Sequence, residues 1–283
     1  LAKELSYIFE RYGTLSPIKG KIGILFDPVC DDFTRCFARS YGLEEALYNQ
    51  SIFGAYKAAF DLGVKADIIT LEEVGNYEAV VLTNNLVIDD KRADIFKNYV
   101  KNGGKLIIDG RFGVINDESL VNRDLPGGKM NELCGVDYLD SDYEQLDFTY
   151  NGIKIKGYYM RDLVDVTTGE IKGRFDDGRC AVSRIKYGEG EAITFNTMLW
   201  YGYAKTGDGS ILSLMSDIIA EYGLTELKYK GDVTVKVAKN AEKYLFFVFN
   251  YTDKEQKVEL TFRNITFDAL IAAHDSVIIE KDK

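Results

Sequence analysis

The stretch YEAVVLTNNLVIDDKRADIFKNYVKNGGKLIIDGRFGVINDE, residues 77–118, decides the fold of this chain. Its hydrophobic pattern predicts a strand at 77–84, a helix at 88–103, a Gly-Gly turn and a second strand at 105–110. This order is one unit of a parallel α/β sheet. Open sheets of this kind place their chemistry in the loops at the carboxyl ends of the strands. The loop at that position is Gly-Arg-Phe-Gly, residues 110–113, and it contains no nucleophile.

The preceding sequence extends the same architecture. Residues 21–27 are nearly all apolar and predict a strand buried on both faces, and residues 66–71 predict another. Residues 51–63 predict a helix whose apolar stripe (Ile52, Phe53, Tyr56, Ala59 and Phe60) faces the core. Residues 28–50, between the first strand and this helix, predict a long loop of functional importance. The alternation predicts a doubly wound parallel sheet with helices on both faces.

The second half of the chain is rich in β-strand patterns. A Gly-Glu-Gly turn predicts a hairpin around residues 186–191, and residues 210–223 predict a further helix. From residue 225, five short strands with polar turns predict a small antiparallel β-sandwich. The other strands are predicted at 145–150, 153–160, 170–175, 181–188 and 191–197.

Three parts are therefore expected along the chain. Residues 20–224 form the α/β domain and residues 225–283 form the sandwich. Residues 1–19 are expected to be the end of a helix and a linker. Because the first residue is Leu1, we expect that a preceding domain has been removed.

The composition and charge of the chain argue against several classes of binding partner. The chain has 283 residues and a net charge of −10, and an acidic protein repels phosphate backbones, so we expect no nucleic acid partner. Its apolar runs are far shorter than the ~20 residues of a membrane helix, so we expect no membrane partner. The four cysteines are scattered without a CxxC pair, and His274 is the single histidine. We expect neither a metal nor a cofactor.

Five stretches, in order, resemble the non-catalytic C-terminal half of family-42 glycoside hydrolases, the β-galactosidase type. They are residues 21–27 with 46–69, 77–118 with its Arg-x-Gly turn, 125–136, 175–199 with its Gly-x-Gly hairpin, and 243–260 with its Asn-x-Thr-Asp pattern. In that family a TIM-barrel catalytic domain precedes an α/β trimerisation domain and a small β-sandwich. The resemblance implies that this chain is a non-catalytic oligomerisation region, whose partners are further copies of itself in a trimer.

The resemblance also directs attention to eight interface candidates. In the family, the region matching residues 28–50 faces the barrels of the trimer. Arg111 is expected to be a solvated charge or the partner of a carboxylate at a subunit contact. Trp200 and Tyr201 are expected either to pack in the core, to form an interface or to contact sugar. The candidates are Phe33, Phe37, Tyr41, Tyr48, Arg111, Phe112, Trp200 and Tyr201.

Two other functions stay open. The abundant Tyr and Trp, together with the sandwich, are compatible with a carbohydrate-binding accessory module. The α/β part also resembles flavodoxin-like sheets and class I glutamine amidotransferases, which use a Cys on a strained turn after a central strand. The matching turn, residues 109–113, carries no Cys.

The loop after the first strand carries Asp27, Asp31 and Asp32 and no glycine. Its acids would repel a phosphate. A bound cation is a further alternative at this loop.

Overall fold

The computed structural model describes residues 2–40 and 47–283, apart from the side chains of residues 2–5 and 37–40. No helix in these ranges is both long and apolar enough to cross a membrane. The helices are α1 (Ala2–Tyr12), α2 (Pro28–Ser40), α3 (Leu47–Asp61), α4 (Asp90–Lys101), α5 (Asn131–Cys134), α6 (Leu199–Thr206) and α7 (Gly209–Glu221), with a 3-10 helix at Leu71–Asn76.

The strands complete the architecture, which is mixed α/β. The chain divides into two compact units: Gly20–Leu224, called here the α/β unit, and residues 1–19 with Thr225–Lys283, called the sandwich unit. The strands are β1 (Ser16–Pro17), β2 (Ile22–Leu25), β3 (Ala66–Ile69), β4 (Ala79–Leu82), β5 (Lys105–Ile108), β6 (Val136–Asp142), β7 (Phe148–Tyr150), β8 (Ile153–Ile155), β9 (Arg161–Val166), β10 (Glu170–Phe175), β11 (Cys180–Tyr187), β12 (Gly190–Phe195), β13 (Leu227–Lys230), β14 (Thr234–Lys239), β15 (Lys243–Phe249), β16 (Gln256–Phe262), β17 (Ile265–Ile271) and β18 (Ser276–Asp282).

Residues 77–118 form the predicted strand–helix–strand unit. Strands β4 and β5 pair in parallel, and α4 connects them. The side chain of Asp89 caps α4 by accepting a hydrogen bond from the backbone N–H of Arg92 at 2.7 Å. Gly104 is required at the turn because a Cβ there would lie 2.4 Å from the Tyr99 ring. Local sequence signals therefore account for this unit.

Among the described residues, the α/β unit is built on a nine-stranded sheet of order β3-β2-β4-β5-β12-β11-β10-β7-β8. The first five strands run parallel, and the last four continue the sheet in antiparallel pairs. The predicted hairpin joins β11 to β12, with Tyr187 opposite Gly190. Gly188 adopts the left-handed conformation that this two-residue turn needs.

The parallel strands are buried on both faces and separate two apolar cores. Alternate residues of β4 point to opposite sides, so Val81 joins one core and Val80 the other. The first core is shared with α3, α6 and α7, and the second with α4 and α5. This double burial explains why the strands are continuous apolar runs in the sequence.

Two predictions about residues 28–63 are wrong. Residues 28–40 form helix α2 rather than a loop, with Pro28 in its first turn, where its missing N–H costs nothing. In α3 the buried face is formed by Ile52 and small residues (Gly54, Ala55, Ala58 and Ala59), whereas the aromatic side chains of Phe53, Tyr56 and Phe60 are exposed. The small residues face inward because α6 packs directly against them.

The sandwich unit has two antiparallel sheets, β1-β14-β15-β18 and β13-β16-β17. The segment expected to be a linker is part of this unit, since β1 pairs with β14 and Ile18 is buried in the core between the sheets. Asn250 explains the Asn-x-Thr-Asp pattern. Its buried amide donates to the carbonyls of Ile271 and Ala272, and its oxygen accepts from the backbone N–H of Thr252. One asparagine thus holds two turns together.

The contact between α3 and α6 yields a stability prediction. A Cβ on Gly54 would lie 1.9 Å from the carbonyl oxygen of Trp200, so the backbones would have to separate. We expect Gly54→Ala to lower the free energy of unfolding by about 1–3 kcal/mol, despite the better helix propensity of alanine. Urea denaturation measures the change. Gly75→Ala, where a Cβ meets nothing within 4 Å, is the matched control and should not destabilise. Equal stability of the two variants would contradict the proposed tight contact.

Candidate functional site

The candidate site is the layer of polar residues at the carboxyl ends of the parallel strands. Asp27 follows β2, Asn84 and Asn85 follow β4, Asp109 follows β5, and Asn196 and Thr197 follow β12. In α/β enzymes this edge opens into a crevice that holds ligands. Here every one of these side chains is at most 2% exposed. We call this group the polar layer. Its hydrogen bonds go mostly to neighbouring residues of the chain, and the amide oxygens of Asn84, Asn85 and Asn196 have no partner among the described residues.

Asp27 forms the first part of the polar layer. Its carboxylate accepts hydrogen bonds from Nε of Arg92 at 2.6 Å and from Nη2 at 3.3 Å, and Arg92 also pairs with Asp89. Asp27 accepts a further bond from the backbone N–H of Val29 at the start of α2. A helix N-terminus attracts anions. The chain's own carboxylate occupies that position, so a phosphate has no place there.

Asp109 forms the second part. Its two carboxyl oxygens accept hydrogen bonds from the backbone N–H groups of Asn84 at 2.8 Å and Trp200 at 3.1 Å. Burial raises the pKa of this carboxyl group to about 8, and the nearby Asp162 adds to the rise. Asp109 therefore ties the end of β5 to the end of β4 and to the start of α6.

The Gly-Arg-Phe-Gly turn, residues 110–113, comes directly after Asp109 in the chain. Arg111 has φ +62°, the left-handed conformation that is uncommon outside glycine. Its backbone N–H donates to the buried Asp162 carboxylate at 2.7 Å, and its guanidinium lies 3.3 Å from the same group. Burial raises the pKa of Asp162, and the contacts to Arg111 oppose that rise. The carboxylate partner expected at a subunit contact is thus a residue of the same chain.

Thiol chemistry is poorly supported at this edge. Burial raises the pKa of Cys30 and Cys134 to about 12 and that of Cys180 to about 11, so these thiols stay protonated. His274 belongs to the sandwich unit, where it is exposed and bonded to Asp253 at 2.8 Å. The described residues thus place no Cys–His pair at the turn where an amidotransferase carries its nucleophile.

Two of the three acids after β2, Asp27 and Asp31, also have partners. Asp31 pairs with Arg35 at 2.8 Å and accepts a hydrogen bond from Asn49 at 2.7 Å, while Asp27 is held by Arg92. Within residues 2–40 and 47–283, no three His, Cys, Asp or Glu side chains come together in a group that could hold a metal ion.

The eight interface candidates fall into three groups. Tyr48, Phe112 and Trp200 are fully buried, so they offer no surface to a second chain or a sugar ring. The interface expectation is corrected for Tyr48 and Phe112, and for Trp200 the structure shows the first of its three alternatives, packing in the core. Phe33 is partly buried against the first core, Tyr201 is buried beside Met160 and Met198, and Arg111 is partly exposed. The side chain of Phe37 and the whole of Tyr41 lie outside the described residues.

Sequence reasoning missed a row of tyrosines near this edge. The rings of Tyr143 and Tyr159 lie 6.1 Å apart, and those of Tyr159 and Tyr201 lie 5.2 Å apart. Tyr159 has φ +64°. The Thr197 hydroxyl lies 3.2 Å from the backbone carbonyl oxygens of both neighbouring residues, Tyr158 and Met160, and can donate a hydrogen bond to either one. No spacing along the chain indicates this row, because its members come from three separate segments.

Residues 22–225 match the family model described as the β-galactosidase trimerisation domain. This match covers well over half of the chain, which therefore belongs to the family of β-galactosidase trimerisation domains.

Relatives and solved structures agree with this assignment. The chain is 22% identical to β-galactosidase GalA of Bacillus licheniformis, over 92% of this chain and 39% of GalA. It is 24% identical to β-galactosidase LacZ of Lactobacillus acidophilus, over 87% of this chain and 37% of LacZ. The solved structure of Gan42B, a GH42 β-galactosidase from G. stearothermophilus, superposes with a TM-score of 0.81 at 18% identity, over 94% of this chain and 41% of Gan42B. The chain spans about two fifths of these relatives.

Asp109 leads to a prediction about pH. Its folded pKa, about 8, lies above the value of about 3.9 in an unfolded chain, so the folded state binds the extra proton between these pH values. We therefore expect the free energy of unfolding to fall as pH rises from 6 to 8. Urea unfolding across this range measures it. Asp109→Asn should flatten the slope, and Asp117→Asn, an exposed control, should keep it. A flat wild-type profile would contradict the assignment.

The thiols provide a second test of the site. With Ellman's reagent at pH 8, we expect the native chain to release the equivalent of one thiol, from the exposed Cys36. The same sample in denaturant should release four, because Cys30, Cys134 and Cys180 then become accessible. Cys36→Ser should abolish the native signal. Rapid native labelling of a second thiol would show that a reactive cysteine exists and would reopen the amidotransferase alternative.

Proposed function

We propose that this chain is the non-catalytic region of a β-galactosidase-like glycoside hydrolase and that its α/β unit assembles the enzyme into a trimer. Membership in the trimerisation family supports the assembly role. The polar layer carries the non-catalytic part of the proposal: the strand ends that hold ligands in related architectures are filled by Asp27–Arg92 and Arg111–Asp162 pairs. A domain with this edge closed is suited to contacts between proteins.

We propose further that the chemistry resides in another part of the parent protein. The relatives named as β-galactosidases are more than twice as long as the region they share with this chain. Retaining glycosidases need two carboxylates about 5–5.5 Å apart, and a TIM barrel of about 250 residues is the scaffold that the family resemblance implies. Carbohydrate is then a substrate of that barrel. The burial of Trp200 removes the strongest support for a separate sugar-binding role here.

The finer fold class is part of this proposal. The parallel strands occur in the spatial order β3-β2-β4-β5-β12, which corresponds to the order 2-1-3-4-5 of flavodoxin-like sheets. We infer that Arg111, in a left-handed conformation after a central strand, corresponds to the cysteine position of class I glutamine amidotransferases. We infer a flavodoxin-like or amidotransferase-like ancestry in which the nucleophile position came to hold a structural ion pair.

The assembly role is tested by mass in solution. A trimer has three times the mass of the 31.9 kDa chain, which is about 96 kDa. We expect sedimentation equilibrium over a wide range of protein concentrations to show this species, because a ring of three closes through one repeated heterologous interface. Deleting Gly20–Leu224 from the full-length parent should leave it monomeric. A monomeric parent, or a deleted parent that still forms trimers, would contradict the proposal.

A further inference from the structure

Helix α3 carries an aromatic face with no function assigned so far. Phe53, Tyr56 and Phe60 are 52%, 38% and 43% exposed. Their spacing of three and four residues places them on one side of the helix. We call these three side chains the aromatic face.

The exposure of the aromatic face is a consequence of how α3 packs. At about 100° per residue, the buried positions Gly54, Ala55, Ala58 and Ala59 cluster on the opposite side of the helix. Small residues let α6 approach closely, and the large apolar residues are left on the side away from the core. Burying the aromatic face within the monomer would place bulky rings where α6 now packs.

The charges beside the aromatic face are already paired. Lys57 lies next to Phe53 around the helix and forms an ion pair with Asp61. The Tyr203 hydroxyl donates to Asp61 at 2.6 Å, and the Lys57 ammonium lies 5.0 Å from the centre of the Tyr203 ring. Two copies of a chain with a net charge of −10 repel each other. A face whose few charges are internally neutralised is therefore a favourable place for copies to meet.

The size of the aromatic face also fits an interface core. A fully exposed aromatic side chain offers about 150–250 Å², so three that are nearly half exposed provide about 250–300 Å². Exposed apolar patches of about 300–600 Å² are often functional, and a standard interface buries about 800 Å² per partner. The aromatic face thus supplies the centre of such an interface. Other exposed apolar residues of the described α/β unit include Val29 on α2 and Leu120–Val121 in a loop.

We propose that the occupant of the aromatic face is a second copy of this chain. In the ring, the aromatic face of each copy packs on a different surface of the next copy, and the third copy closes the ring. Ile68 extends the apolar surface, since it lies exposed on the same side of edge strand β3 as Ala66, which packs in the first core with α3. This inference rests on the proposed assembly role and specifies the surface responsible.

The experiment compares two double variants of the whole chain. Phe53→Ser with Phe60→Ser removes two rings from the aromatic face, and Leu120→Ser with Val121→Ser removes two apolar side chains elsewhere that are at least as exposed. Sedimentation equilibrium should show the trimer dissociating at least about 100-fold more readily in the first variant, as expected when interface hot spots are lost. The second variant should match the wild type. Circular dichroism and the urea midpoint should report a folded chain in both.

Each outcome is decisive. If the wild type forms trimers and the Phe53/Phe60 variant dissociates no more readily than the wild type, this inference is overturned and the assembly role stays intact. A monomeric chain beside a trimeric full-length parent also overturns this inference alone, whereas a monomeric parent overturns the assembly role itself. If the serine pair lowers the urea midpoint, Tyr56→Glu provides the same readout, because it adds a charge to an exposed position without removing core packing. A trimer that survives Tyr56→Glu also overturns the inference.

Discussion

The close contact between helices α3 and α6 is the constraint on which most of the α/β unit depends. Gly54 lies against the carbonyl of Trp200, and no side chain fits between the two backbones. This contact buries Trp200 and places its backbone N–H on Asp109, at the centre of the polar layer. It also turns the aromatic side of α3 toward the surface. One helix contact thus links the closed strand edge to the candidate assembly face.

The polar layer shows how an enzyme-like scaffold can serve a structural role. Parallel sheets bring polar residues together at their carboxyl edge whatever the protein does, because the strands all end there. Burying those residues is costly unless each one has a partner. Arg92, Arg111 and backbone N–H groups supply partners for the buried aspartates here, whereas the side-chain oxygens of Asn84, Asn85 and Asn196 have none among the described residues. Most of these groups are thus buried and held by the chain itself at the strand ends.

Much of the architecture was predictable from local signals. The 77–118 unit, the 186–191 hairpin and most strands follow from apolar runs, caps and glycine turns. Helix α2 carried its signal too, in Pro28 directly after Asp27, but the long acidic segment was interpreted as a loop. Strands β6 and β9 were missed because their sequences, such as VDYLDSD, mix charged and apolar residues without regular alternation. The site residues Asp109 and Asp162 carry no sequence signal for burial, since aspartate is usually exposed.

The sequence by itself determined the order of strands and helices, the position of the turns and the family, because these depend on short-range patterns of apolar residues, glycine and caps. It did not determine which apolar residues of α3 face inward. Phe53 and Phe60 are about as hydrophobic as Ile52, and only the approach of α6 decided that small residues would line the contact. The same holds for Arg111, whose partner Asp162 lies 51 residues away along the chain. Tertiary structure decided these points because they depend on which surfaces meet.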